Sequence, residues 1–155
     1  MANKFKIPQL ISKVDFAIKD AIAIVARDSS LHFKKSFANE GFTDENLQKW
    51  DKRQNQIRNT GLVRLKYKHV NTKPTLTKTG ALKNSIKTSL RNNEATLTSS
   101  LPYSAIHNEG LMGKAYGKYP FKMPKRQFMG NSKSLERRSQ AKFIAKINTA
   151  ILNNK

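Results

Sequence analysis

From Pro8 onward the apolar residues recur every three or four positions, at Leu10, Val14, Ile18, Ile22 and Val25, with Ala17, Ala21 and Ile24 widening the stripe. That period predicts an amphipathic helix. Pro8 suits its first turn, where a missing N–H costs no bond, and Phe33 and Phe37 carry the apolar face on to a stop at Asn39-Glu40-Gly41. A helix of about thirty residues follows from these bounds. Its small alanines between branched side chains suit packing along a sheet. The stripe either covers the chain's own core alone or leaves a strip for a neighbouring subunit.

The remaining pattern is shorter in range. Phe42 leads into Thr43-Asp44-Glu45, a helix-start composition, and Leu47 and Trp50 are spaced to share one side of a short second helix, with Trp50 as its anchor. From Asp51 to Lys73 the text turns polar, and Val63, Leu65 and Tyr67 give the only strand-like alternation. This stretch reads as a mobile or partner-ordered loop. After Pro74, Leu82 and Ile86 lie four apart, which predicts a short helix capped by Thr77 or Thr79. Ser85 to Leu90, a polar turn at Asn92-Asn93-Glu94, and Ala95 to Ser99 then read as a β-hairpin.

Gly110 to Gly117 is glycine-rich and reads as part of a flexible loop over about 110–119, with Lys114, Tyr116, Lys118 and Tyr119 making it basic and aromatic at once. Pro120 to Gly130 returns as an extended segment whose prolines argue for a sheet edge. Ser132 or Ser134 can cap a last helix in which Ala141, Ile144, Ile147 and Ile151 repeat at helical spacing. The elements add up to one α+β domain over 1–155, an antiparallel β-sheet packed by a long N-terminal helix and a C-terminal helix. No internal repeat is visible.

Composition narrows the chemistry. The 155 residues include no cysteine, which removes disulfides, thiolate catalysis and cysteine-based metal sites and suits assembly in a reducing cytoplasm. The longest apolar run, Ala21 to Ala26, is far short of the roughly 20 residues that span a bilayer. Asp15 and Asp20 interrupt the region after Lys4 and Lys6 where a secretory signal would need an apolar stretch, so the N-terminus reads as mature. Net charge is +20, and it is unevenly placed. Residues 1–60 carry 11 Lys/Arg and 7 Asp/Glu, whereas residues 61–155 carry 19 Lys/Arg against only Glu94, Glu109 and Glu136. Such a field attracts DNA, RNA, anionic lipid or an acidic protein surface without choosing among them.

Candidate chemistry is thin. The histidines are His32, His69 and His107, and none sits beside a nucleophile in a recognisable setting. His107-Asn108-Glu109 resembles the His-x-Glu of zinc deaminases, but their two cysteine ligands have no counterpart. Gly113-Lys114 and Gly117-Lys118 lack the spacing and the following Ser or Thr of a phosphate-binding loop. Three acids after Asp51 leave little for paired-carboxylate catalysis. Neither a cofactor nor a metal is expected, and no enzyme. A basic nucleic-acid-binding module is the stronger rival, since Tyr116, Tyr119, Phe121 and Phe128 alternate with cations that could neutralise phosphates. Against it, no helix-turn-helix or other known nucleic-acid signature is present.

Three segments stand in a fixed order in the second half. The first is Leu76-Thr77-x-Thr79-Gly80-x-Leu82-x-x-Ser85-Ile86, the second Pro102-Tyr103-Ser104-x-Ile106-His107-Asn108-x-Gly110, and the third Met123-Pro124-x-Arg126-Gln127-Phe128-Met129-Gly130. Together, over about residues 37–130, they resemble the phage virion morphogenesis family. The family pattern has Leu before Thr-Gly, then Pro-Tyr-Ala with Ile-His and Gly, then Pro-x-Arg-x-Phe. Ser104 stands here for the usual Ala, and Asn108 precedes Glu109 where the family has glutamine or an aromatic.

The resemblance implies a structural protein, assembled in the bacterial host cytoplasm, that joins itself as a ring in the virion tail or at the head–tail neck. Its partners would be other neck, tail or head-completion proteins of a phage, a prophage or a tail-like device, with non-specific DNA contact and no membrane. Under this reading Gly80 releases a turn, Pro102-Tyr103 starts a strand, His107 bonds loop backbone near Gly110, and Arg126 pairs internally with Glu109. The 51–73 segment and the 110–117 loop, with Lys114, Tyr116, Lys118 and Tyr119, are the expected partner contacts.

Overall fold

The computed structural model describes residues 7–52 and 74–152, so the Val63, Leu65 and Tyr67 alternation lies outside the described residues. Helix α1 runs Ile7–Asn39, and it ends as its sequence predicts. Glu40 takes a left-handed φ of 48°, which stops the helix, and Gly41 follows where a Cβ would stand 2.5 Å from the Gln48 carbonyl oxygen. The close approach belongs to a hairpin, β1 (Gly41–Thr43) against β2 (Leu47–Lys49), closed by the Trp50 N–H on the Glu40 carbonyl at 2.7 Å.

That hairpin replaces the short helix expected over Thr43 to Trp50. The groups that would have started a helix are engaged over long range instead. Thr43's carbonyl faces His32 Nε2 at 3.0 Å and accepts the Ser132 hydroxyl at 3.1 Å, while Asp44's carboxylate accepts the Lys133 N–H. Trp50 is nevertheless the anchor expected of it, buried with its indole N–H donating to the Gln127 carbonyl at 2.7 Å.

A one-turn helix α2 (Ala81–Asn84) follows Gly80, whose φ is 69°, with Thr79's hydroxyl accepting the Ala81 N–H at 3.3 Å. Thr77 turns back to the Pro74 carbonyl. The expected hairpin is present as β3 (Ile86–Arg91) and β4 (Glu94–Ser99), paired from Ile86↔Ser99 to Arg91↔Glu94. Asn92 and Asn93 both adopt positive φ, the conformation of the tight turns that match strand twist. Pro102 and Tyr103 lead into a helix, α3 (Ser104–Glu109), and not a strand: Tyr103's carbonyl accepts the His107 N–H, and Gly110 closes the helix in the left-handed region.

The glycine-rich stretch is a third hairpin, β5 (Met112–Ala115) against β6 (Tyr119–Lys122), where a loop was expected. Tyr116 and Gly117, at φ 54° and 69°, make its turn. Gly113 carries no side chain because Phe121 lies over it. Among the described residues the architecture is thus α+β with three two-stranded antiparallel sheets, where one sheet was expected. Strands of three to six residues, with Pro120 lacking a donor in β6, pack individually.

Helix α4 (Lys133–Leu152) is capped as predicted by Ser132, whose hydroxyl accepts the Leu135 N–H at 3.3 Å. It lies antiparallel along α1, since Asp28 meets Arg138 and Lys142 and the earlier Asp20 meets the later Lys146. The buried Ala17 and Ala21 let the helices approach. Of the isoleucine repeat, Ile147 alone lies on the inner side of α4. Ile144 and Ile151 are exposed, and the inner side runs through Leu135, Lys146 and Ile147, because lysine stems cover α1 while their ammonium groups reach its aspartates. The main core gathers at the C-terminal end of α1: Phe33, Phe37, Phe42, Trp50, Leu82, Ile86, Phe128 and Leu135. Phe37 meets Trp50 edge-on at 5.7 Å and Phe128 at 5.2 Å.

Candidate functional site

The three ordered segments converge on residues 126–129. Phe128 is the hub, 1% exposed against Phe37, and its carbonyl accepts the Ser36 hydroxyl. Arg126, buried beside it, directs its guanidinium to the Asp51 carbonyl at 3.1 and 3.3 Å. Among the described residues Glu109 forms no ion pair with Arg126; its carboxylate accepts from the Asn108 amide. From the first segment, Leu82 and Ile86 enter the same core, Leu76 packs against it, and Ser85 bonds Ser99 at 2.7 Å.

The second segment is fastened to the third by two devices. Arg126's N–H donates to the His107 carbonyl at 2.8 Å, so this bond runs through the His107 backbone, while its ring stands edge-on to Tyr103. Asn108 does more. Its Oδ1 accepts the N–H groups of Phe128 and Met129 at 2.9 and 3.0 Å, and its Nδ2 donates to the Met129 carbonyl at 3.1 Å. One amide side chain therefore reads the backbone both as acceptor and as donor. Gly110 is needed at the exit of α3, at φ 71°, with Lys125 backbone 3.0 Å from where a Cβ would be. Asn108 was not legible as a fastener, because its three partners lie about twenty residues away.

Away from this hub the β5–β6 hairpin presents the four candidate contacts. Lys114, Tyr116, Lys118 and Tyr119 are all exposed, Tyr116 at 97%, and Lys118 sits 5.9 Å from the Tyr119 ring centre. The opposite regime holds between α1 and α4. Burial works to raise the Asp28 pKa, but hydrogen bonds from Arg138 at 2.7 Å and Lys142 at 2.9 Å outweigh it and hold the carboxyl below its ordinary value. Burial lowers the pKa of His32, packed edge-on to Phe33 and Phe42. Glu40 is lowered by the Thr75 N–H on its carboxylate.

His32 and His107 stand in different parts of the fold, and His69 lies outside the described residues. Among the described residues no group of three or more His, Cys, Asp or Glu could hold a metal ion, and no helix is long and apolar enough to cross a membrane.

Residues 48–147 match the phage virion morphogenesis family. The match takes in all three ordered segments, both later hairpins and most of α4. Neither a curated protein nor a solved structure matches the chain significantly. With the match over most of its length and the three segments locked into one structural unit, the chain belongs to the phage virion morphogenesis family and has a structural or assembly role in a phage virion.

Proposed function

We propose that the chain is a building block that completes the tail or connects it at the head–tail neck, working as an oligomeric ring in contact with other neck, tail or head-completion proteins. One observation carries this reading: four residues of the family pattern, Leu82, Ser85, Arg126 and Phe128, are buried and help hold the fold together. What they hold up is outward-facing surface. Ile7, Ile11, Phe16 and Leu31 on α1 and Ile144, Ile151 and Leu152 on α4 are exposed apolar side chains on the two longest elements. Exposed apolar surface on that scale is what a subunit keeps for its neighbours. The reading assigns the chain no chemical step.

The test is a particle assembled with and without the chain. Mass spectrometry of purified wild-type virions finds the protein in fixed copy number, and particles made without it accumulate as filled heads and unjoined or irregularly ended tails. Normal infectious particles without the chain would overturn the proposal. So would its absence from wild-type virions.

A further inference from the structure

We propose that the β5–β6 hairpin is a contact surface for the phosphate backbone of duplex DNA, held without sequence selectivity. Neither the ring nor its position in the particle enters into this.

Asp20 and Asp28 are engaged by Lys146, Arg138 and Lys142, Glu45 by Arg137, and Asp15 by Lys19, while Asp44 caps α4 and Glu40 accepts the Thr75 N–H. These carboxylates lie in or beside α1, and most are tied to α4. From Gly110 to Lys125, in contrast, the chain has four lysines, Lys114, Lys118, Lys122 and Lys125, and no acid. All four are exposed. The nearest acid in the sequence, Glu109 just before the hairpin, takes the Asn108 amide.

The pairing then fixes how the charges face. Lys114 opposes Pro120 and Met112 opposes Lys122, which puts Lys114 and Lys122 on one face as diagonal neighbours, about 7–8 Å apart at the backbone. Lys118 adds a third charge at the turn, beside the exposed Tyr116. A four-residue strand runs about 13 Å, a length over which duplex DNA carries several charges at roughly one per 1.7 Å of axis.

An acidic protein is the other polyanion such a surface could meet, and the residue choice argues against it. Carboxylates on a folded partner stand at fixed positions and call for cations held in place, whereas phosphates repeat closely along a duplex. The hairpin has no arginine, so no planar fork fixes either kind of anion in pairs. Lysines are point charges on flexible stems, suited to a ligand whose charges repeat closely and can shift along the surface.

The experiment measures anisotropy of a labelled mixed-sequence duplex against salt, with the full chain. Lys114→Gln, Lys118→Gln and Lys122→Gln together are compared with Lys35→Gln, Lys78→Gln and Lys87→Gln, which remove the same charge from exposed sites elsewhere. The hairpin triple is expected to make the slope of log affinity against log salt shallower by about two to three, at near 0.9 per lost phosphate contact. The control triple leaves the slope close to the parent's, and a second duplex of unrelated sequence binds equally. Equal losses in the two triples would overturn the proposal, as would a parent that does not bind duplex at low salt. Polyglutamate of matched charge binding as tightly as DNA would also overturn it, and would make an acidic protein the partner.

Discussion

Asn108→Ala removes one side chain and unfastens two segments. The wild-type amide satisfies the N–H groups of Phe128 and Met129 and the Met129 carbonyl, all at 2.9–3.1 Å. Three bonds at a net of about 0.5–1.5 kcal/mol each bracket the loss between about 1.5 and 4.5 kcal/mol. The site is half-buried, so water can recover part of it, which places the expected loss at about 2–3 kcal/mol. For a chain of this size that lowers the melting temperature by about 4–12 °C. Asn108→Asp separates the contributions: it keeps the acceptor for both N–H groups and turns an oxygen toward the Met129 carbonyl. Urea unfolding followed by Trp50 fluorescence is the assay, because the Trp50 indole is bonded to Gln127 in the same segment. An alanine variant within about 0.5 kcal/mol of the parent, the range of surface substitutions, would refute the view that Asn108 joins the second segment to the third.

Phe128→Ala empties the centre of the core, where Phe128 is 1% exposed, and is expected to cost about 3–5 kcal/mol in the same assay. Gly110→Ala forces a Cβ into the left-handed region at φ 71° and to within 3.0 Å of Lys125 backbone, so it loses at least about 1–2 kcal/mol, measured by denaturation. His32 and Asp28 give the stability two acid limbs. Burial lowers the His32 pKa against the opposing hydrogen bond to the Thr43 carbonyl and the charge of Asp28, with Arg138 and Lys35 adding to the lowering, so the folded state prefers the neutral ring. That contribution is complete above 6.5 and is lost as the pH falls from there toward the folded value; His32→Gln flattens this limb in a pH series of melting temperatures. Asp28, held low by Arg138 and Lys142 against its burial, contributes fully above 3.8 and loses that contribution as the pH falls through its lower folded pKa, a limb absent in Asp28→Asn.

What the sequence disclosed is what short-range physics controls. The end of α1 at Asn39-Glu40-Gly41, the Asn92-Asn93 turn and the Ser132 cap each depend on a few adjacent residues, and each stands where the pattern put it. Leu82, Ile86 and Trp50 were legible as core by spacing and size. The misreadings share one cause. Thr43-Asp44-Glu45 has helix-start composition, but its partners are Ser132, Lys133 and Arg137, about ninety residues on. Ile144 and Ile151 keep helical spacing, yet α4 is turned by lysine and arginine bonds to Asp20 and Asp28 that no local window contains. The β5–β6 hairpin hid behind Gly113, which shows no strand-like side chain because Phe121 covers that spot. The three segments could be seen as an ordered set; that Asn108 binds the second to the third could not.

The uneven charge has a structural reason that joins these two kinds of information. Acids are concentrated before residue 60 because α1 and the first hairpin use them to hold and cap a basic helix that arrives last in the chain. The cations of α4 are therefore largely spent on folding, whereas those of the β5–β6 hairpin have no carboxylate in their own segment to meet. Charge serves stability on one side and contact on the other, and the two roles can be separated by mutation. Asp28→Asn should lower the melting temperature and leave the salt slope of DNA binding unchanged, since the carboxylate it removes faces Arg138 and Lys142. Neutralising Lys114, Lys118 and Lys122 should do the reverse, because the three side chains are exposed and none forms an ion pair among the described residues. Melting curves and salt titrations on the same two preparations decide it: a variant that moved both readouts together would show that the basic surface and the fold are one electrostatic system.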